Sequence, residues 1–202
     1  MPPLSFFRGL GLFIREDFFT LARCLELQTQ ISGADSERAT VVGLETGQDY
    51  LDENVRKVLS AKAEDSAVKA VWDAIWDLKP SLEDHFRVSL RASECPTFLR
   101  YGKGAFYRPH KDGNADSSSS TRNRKVSLVI FLNGTSGEDS PNCYGGGALR
   151  FYGLMDGPTW EKCAFALEAK PGLLVAFRSD TVHEVQPVTF GERFTIVSWF
   201  SV

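Results

Sequence analysis

Cysteine is scarce in this chain: four residues in 202, Cys24, Cys95, Cys143 and Cys163, far apart and with no C-x-x-C pair. That spacing speaks against a zinc knuckle or a disulfide framework, so reduced structural thiols and a cytoplasmic setting are the expectation. An excess of positive charge is also missing. The 23 Lys and Arg stand against 26 Asp and Glu, for a formal net charge of −3. No chain-wide basic field is there to hold a phosphate backbone, and nucleic acid is not an expected partner. Long apolar runs are lacking too: the N-terminal stretch is split by Arg8 and followed by Arg15-Glu16-Asp17, so neither a leader nor a membrane span is expected. Only three histidines occur, His85, His110 and His183, which leaves few ways to build a metal site.

What is present is ordinary globular material, 43% hydrophobic and 24% charged. This length supports one buried core, and residues 1–202 are read as a single domain: a helical support region with flanking strands over 1–94 and a jelly-roll core over 95–202. Asp17 is the predicted N-cap of a first helix from Phe18 to Gln30, with Phe18, Leu21, Ala22 and Leu25 at helical spacing. Segments 38–45 and 54–60 have strand-like content around a turn at 46–49. From Ser66 to Leu78 a stripe of Val68, Val71, Trp72, Ile75 and Trp76 marks a packing helix, not an aromatic ligand box, and Pro80 stops it. After Cys95 strand signals follow one another: Thr97–Tyr101, Phe106–Asp112, Lys125–Leu132, Ala148–Tyr152, Cys163–Leu167, Leu173–Phe177, Thr181–Val188 and Arg193–Ser201. Helices first and strands later give an α+β, mainly β order in which the helices cover one face of a sheet. Two polar segments, 113–124 and 133–147, are expected to be surface loops, and the first is rooted at Asp112 where a lid could sit.

His110-Lys111-Asp112 is the first chemical signal. On an extended strand, positions i and i+2 share a face, so an imidazole and a carboxylate can reach one point in space. His183, opening HEVQPV, is a candidate third ligand if its strand lies beside the first; His85, in LEDHF, reads as a surface residue. Two histidines and one carboxylate with open positions suit a non-haem Fe(II) centre, but on the residues alone two structural histidines remain an equal reading. Ten residues past His183, alternation puts Arg193, Thr195, Val197 and Trp199 on one face and Phe194, Ile196, Ser198 and Phe200 on the other. An arginine on an interior face is costly without an anion, which a bound dicarboxylate, an internal acid or a position at the rim would each explain.

Together, Tyr101, Tyr107, His110-x-Asp112, GGALRFY from Gly146, HEVQP from His183, Arg193 and Trp199 resemble the prolyl-4-hydroxylase-like family of Fe(II)/2-oxoglutarate-dependent dioxygenases. The resemblance covers the last hundred residues closely and implies a double-stranded β-helix with N-terminal helices packed on its larger sheet. It implies His110, Asp112 and His183 as iron ligands, Arg193 and Tyr101 on the distal carboxylate of 2-oxoglutarate, Thr195 and Trp199 beside the co-substrate, and Tyr107 in the substrate pocket. It further implies hydroxylation of an unactivated C–H bond of a prolyl residue, an amino acid or another small molecule, with O2 consumed, succinate and CO2 released, and ascorbate as a supporting reductant. Trp199 stands where nucleic-acid demethylases of the wider superfamily carry a second arginine, which disfavours nucleic-acid repair. A non-catalytic 2-oxoglutarate and metal sensor is the alternative of another class, and the oligomeric state is left open.

Overall fold

Strand alternation after Cys95 produces two facing sheets, each with one face turned toward the other. The structure, a computed structural model, describes residues 2–42, 49–113, 120–155, 157 and 163–202. Among these residues the larger sheet runs, in spatial order, Phe13–Arg15, Leu174–Arg178, Arg124–Phe131, Arg193–Ser201, Thr97–Tyr101, Leu59–Ala61 and Ser36–Arg38, with Ala92–Ser93 also pairing with the Arg193 strand. The smaller sheet runs Ala164–Leu167, Leu149–Tyr152, His183–Val185, Phe106–His110 and Arg56–Lys57. A three-stranded ribbon of Gly134–Thr135, Cys143–Gly146 and Val188–Gly191 stands apart from both in its pairing. This is the expected double-stranded β-helix, mainly β with few helices.

The alternation separates two cores. Phe98, Val126, Leu128, Ile130, Leu174, Ala176, Phe194, Ile196 and Phe200 pack with the helices: Cys24, Leu27 and Ile31 of α2 (Leu21–Gly33), Ala67, Val71 and Ile75 of α3 (Asp65–Asp77), and Leu82 and Phe86 of α4 (Lys79–Phe86). Their alternate neighbours, Leu99, Tyr101, Val129, Phe131, Val175 and Phe177, pack with Tyr144, Leu149, Phe151, Leu167, Val185 and Val188. Each fully buried Leu, Ile or Phe contributes about 1.5–3 kcal/mol, so the helices hold the larger sheet rigid from behind. Gln28 of α2 strengthens that docking by donating to the Leu132 carbonyl at 2.9 Å. None of the helices among the described residues is long and apolar enough to cross a membrane.

Several local expectations shift. A short helix, α1 (Leu4–Gly9), precedes those predicted. The next helix begins at Leu21 because the Thr20 hydroxyl, not Asp17, caps it, accepting from Arg23 N at 3.2 Å. Asp17 has φ 52°, and Phe18 N donates to the Gly172 carbonyl at 2.8 Å, so this stretch is a pinned turn. Pro80 opens α4 in its first turn, where its missing N–H costs nothing. Trp72 and Trp76 lie at the margin of the α3 stripe, 39% and 43% exposed. The 38–45 strand is reduced to Val41–Val42 after a separate Ser36–Arg38, and 43–48 lie outside the described residues. Segment 133–147 is not a loop throughout: Asn133 and Tyr144 are buried, and Cys143–Gly146 pairs antiparallel with Val188–Gly191. Of the other polar segment, 114–119 lie outside the described residues, where the lid expectation falls, and Ser120–Asn123 forms a 3-10 turn.

Candidate active site

A cavity of about 440 Å³ opens between the sheets, and Tyr101, Tyr107, His110, Asp112, His183, Arg193, Thr195 and Trp199 all line it. Every site residue expected from the sequence is thus brought to one place, and His85 is excluded: it packs on Phe13 and Phe86 behind the sheets.

His110 and His183 are placed by register, facing each other directly across the antiparallel pair of Phe106–His110 and His183–Val185. Their ring centroids are 4.2 Å apart. Asp112 arrives differently from the same-face argument, because the strand ends at His110. Instead the chain bends, and Asp112 N and Gly113 N both donate to the Ser179 carbonyl at 3.0 and 2.9 Å. Gly113 is needed at that bend, since a Cβ there would lie 2.7 Å from the Arg124 carbonyl oxygen. Asp112 then presents Oδ1 at 3.5 Å from His110 Nε2 and Oδ2 at 3.5 Å from His183 Nε2. One ligand atom from each of the three lies within 4.8 Å of the others.

The hydrogen-bonding of the rings leaves the right atoms free. His110 Nδ1 lies 2.8 Å from the Arg108 carbonyl and His183 Nδ1 3.0 Å from that of Thr181. A carbonyl only accepts, so each Nδ1 carries the proton and each Nε2 lone pair points toward Asp112. Burial pushes His183 down to about 4, with the His110 imidazole adding to the effect and the Asp112 carboxylate opposing it. Burial would raise Asp112, but His183, His110 and the Trp199 side chain outweigh it and hold the carboxyl well below its usual range. Near neutral pH the cluster therefore offers an ionised carboxylate beside the neutral His183 imidazole, the deprotonated forms that bind a metal.

The inner end of the cavity is built from different chemistry. Arg193, 1% exposed, shares a register pair with Tyr101 and lies over its ring at 4.8 Å from the centroid. Nη1 donates to Thr195 Oγ1 at 3.1 Å, while Nε and Nη2 find no hydrogen-bond partner among the described residues. Tyr144, missed in the sequence because NCYGGG reads as loop, is fully buried with its hydroxyl likewise unpartnered. Burial raises its phenol, and Arg193 opposes that rise both through its charge and through a side-chain interaction too long or too bent to count as a well-formed hydrogen bond. A Cβ on Gly147, which has φ +59°, would sit 3.0 Å from Tyr144 and 3.2 Å from Arg193, so the glycine leaves room for both. A buried cation with two orphan donor atoms and an orphan phenol beside it calls for a carboxylate.

The walls add two stacks. Tyr107 lies flat on His110, centroids 3.5 Å apart at 17°, with the Arg56 guanidinium 4.7 Å from the tyrosine ring. Arg56, which sits on a two-residue strand with no motif around it, also lines the cavity and was missed by sequence reasoning. On another wall Arg124 covers Trp199 at 3.8 Å and holds Glu94 through two bonds of 2.6 Å. Trp199 thus serves Asp112 and Arg124.

Residues 96–201 match the family model described as the 2OG-Fe(II) oxygenase superfamily. Among curated proteins, the chain is similar to a PKHD-type hydroxylase of Maricaulis maris, 34% identical over 100 residues that make up 50% of this chain and 38% of the relative. A PKHD-type hydroxylase of Gloeothece citriformis is 30% identical over 146 residues, 71% of this chain and 58% of the relative. The chain therefore spans only about half the length of the curated relatives it matches. Among solved structures, a Pseudomonas putida prolyl-4-hydroxylase superposes with a TM-score of 0.70 at 25% identity over 98% of this chain and 97% of that one. A prolyl hydroxylase of Trichoplax adhaerens, solved with a hypoxia inducible factor peptide, shares the fold with a TM-score of 0.71 at 20% identity over 98% of this chain and 86% of that one.

Proposed function

The chain belongs to the 2OG-Fe(II) oxygenase superfamily, and from that premise we propose that it is an Fe(II)- and 2-oxoglutarate-dependent dioxygenase that hydroxylates an unactivated C–H bond. The observation that carries this reading is the conjunction of two features in one cavity: three converging metal-type ligands at one end and, at the other, a buried guanidinium with two nitrogens unpartnered among the described residues. His110, Asp112 and His183 would hold Fe(II), and Arg193 with Tyr144 would hold the distal carboxylate of 2-oxoglutarate. Tyr101 supports the Arg193 guanidinium with its ring face, and Thr195 fixes one of its nitrogens. When bound, Fe(II) supplies the redox chemistry that couples O2 consumption and 2-oxoglutarate decarboxylation to hydroxylation, giving succinate, CO2 and an alcohol.

The protein's own contribution is placement. The carbonyls of Arg108 and Thr181 fix both imidazole tautomers, and Trp199 helps keep Asp112 ionised. Leu99, Leu149 and Val185 make part of the wall apolar, which limits water around a strong oxidant. Tyr107 offers an aromatic surface to the substrate, for which a prolyl residue, an amino acid or another small molecule is the class. We take residues 1–202 as one catalytic unit, supported by the core that the helices share with the larger sheet. Cys24, Cys95 and Cys143 form no disulfide among the described residues, which suits the cytoplasm, and ascorbate is expected to sustain turnover.

Protein reconstituted anaerobically with Fe(II), then given 2-oxoglutarate, ascorbate and O2, should release succinate when the right substrate is added, with one oxygen gained by that substrate in mass spectrometry. Tight 2-oxoglutarate binding without succinate release across a broad panel of amino acids and peptides would instead make the protein a sensor.

A further inference from the structure

We propose that the substrate carries a carboxylate, or an equivalent anionic group, held by Arg56 on the wall beside Tyr107; this rests on the 2-oxoglutarate reading of the site. Four arginines line the cavity, Arg38, Arg56, Arg124 and Arg193. Arg124 is neutralised by Glu94, and Arg38 pairs with Glu53 at 2.9 Å. Arg193 faces the co-substrate. Arg56 has no acidic partner among the described residues: Nη1 donates to the Thr40 carbonyl at 2.7 Å, and Nε is buried with no partner. Glu37, the other acidic residue on the lining, is exposed and forms no ion pair with Arg56.

The loaded site sharpens the point. The two charges of Fe(II) and the one of Arg193 are matched by Asp112 and the two carboxylates of 2-oxoglutarate. Among the described residues the Arg56 charge is then left over, half-buried, on a wall that the co-substrate does not need. A guanidinium in that position binds an anion strongly, since the charge-assisted bond forms where water competes poorly. The position also sets a reach. Arg56 lies over the Tyr107 ring, 4.7 Å from its centroid, and that same ring stacks on the metal-type ligand His110 at 3.5 Å. A molecule whose anion meets Arg56 can pass along the tyrosine and bring a carbon a few bonds away to the metal end. That fits a free amino acid or a chain-terminal residue better than an uncharged prolyl residue inside a peptide.

The test uses full-length protein loaded with Zn(II) and saturated with 2-oxoglutarate, so that binding is read without turnover. L-proline, L-pipecolate, L-leucine and glycyl-L-proline are titrated beside their carboxamides by calorimetry or ligand-observed NMR. The expected result is that at least one acid binds about tenfold or more tightly than its amide, that Arg56→Gln removes this preference, and that Arg56→Lys restores part of it. Acids that bind no better than their amides, a panel in which no acid binds at millimolar concentration, or an Arg56→Gln protein that keeps the preference would each overturn the inference. The wild-type comparison decides even if Arg56→Gln folds poorly. Failure of 2-oxoglutarate itself to bind the Zn(II) protein overturns the proposed function, so the two failures are distinct.

Discussion

The two ends of the cavity solve opposite problems. At the metal end the fold has already arranged what it needs: each imidazole has one nitrogen on a backbone carbonyl and the other 3.5 Å from Asp112. At the inner end Arg193 Nε, Arg193 Nη2 and the Tyr144 hydroxyl have no partner among the described residues. The metal end is pre-organised and modestly costly. The inner end carries the desolvation penalty of a lone cation, several kcal/mol after relaxation, until a carboxylate arrives. In the proposed reading, removal of an inner-end group should therefore weaken co-substrate binding while sparing or raising the stability of the free protein, whereas removal of a metal ligand should abolish chemistry.

The largest effect belongs to the ligands. His183→Ala or Asp112→Ala should lower substrate-coupled succinate release by at least about a thousandfold, some 4 kcal/mol in the barrier, with weakened Fe(II) binding by calorimetry as the companion readout. Arg193→Met comes next and tests the contrast most directly. It should weaken 2-oxoglutarate binding by roughly 30- to 1000-fold, about 2–4 kcal/mol, and leave metal affinity unchanged. Thermal melting of the free variant should equal or exceed wild type, because an apolar side chain replaces an unpaired buried charge. A lower melting temperature would mean that Arg193 already has a stabilising partner and that the two ends are alike.

The metal end has its own weakness, in acid. Burial depresses His183 to about 4 from 6.5. Between these values the unfolded chain binds a proton that the folded chain does not, so stability is complete above about pH 6.5 and is lost as pH falls toward 4. Below that window this group adds no further loss. The metal-free protein should lose about 1–3 kcal/mol across the window, measured by denaturant unfolding at several pH values. Burial also lowers His85 on α4, with the nearby Arg8 charge adding to the effect, so His183→Gln should remove the metal end's share of the slope and leave the share that His85 carries.

How much of this was visible in the sequence follows from which residues are placed by period and which by contact. His110, His183 and Arg193 sit on strands, where a period of two fixes the face, and their roles could be anticipated. The helix of Val71 and Ile75 was found within one residue for the same reason. Asp112 reaches the cluster by a different route from the one expected, since a bend anchored on Ser179 aims it, and no local pattern encodes that distant carbonyl. Tyr144 was invisible because its strand is Gly-rich and borrows its order from Val188–Gly191. Arg56 was hidden on a two-residue strand at a sheet edge, where neither length nor alternation gives a signal. Thr20 displaced Asp17 as cap because Gly172 of a remote turn fixes the chain between them. Motif residues on strands could be read; residues that matter through tertiary contact could not.

Tyr144→Phe has the smallest expected effect and is the most discriminating change at the inner end. It removes one oxygen and almost no volume, so packing against Arg193 and Gly147 is kept. Among the described residues the buried hydroxyl has no well-formed hydrogen bond, and its loss removes more desolvation penalty than interaction. The free protein should therefore be unchanged or more stable by about 0.5–1 kcal/mol, a rise of about 1–4 °C in melting temperature for a domain of this size. With 2-oxoglutarate bound, the same hydroxyl would donate to a carboxylate, a bond of about 1.5 kcal/mol. Affinity should then fall roughly tenfold, and the stabilisation conferred by a fixed concentration of 2-oxoglutarate should shrink by the same free energy. Opposite signs for the free and bound proteins are the signature of a group held in readiness for a ligand. A single destabilisation in both states would place Tyr144 in the core alone and leave Arg193 to hold the carboxylate without it.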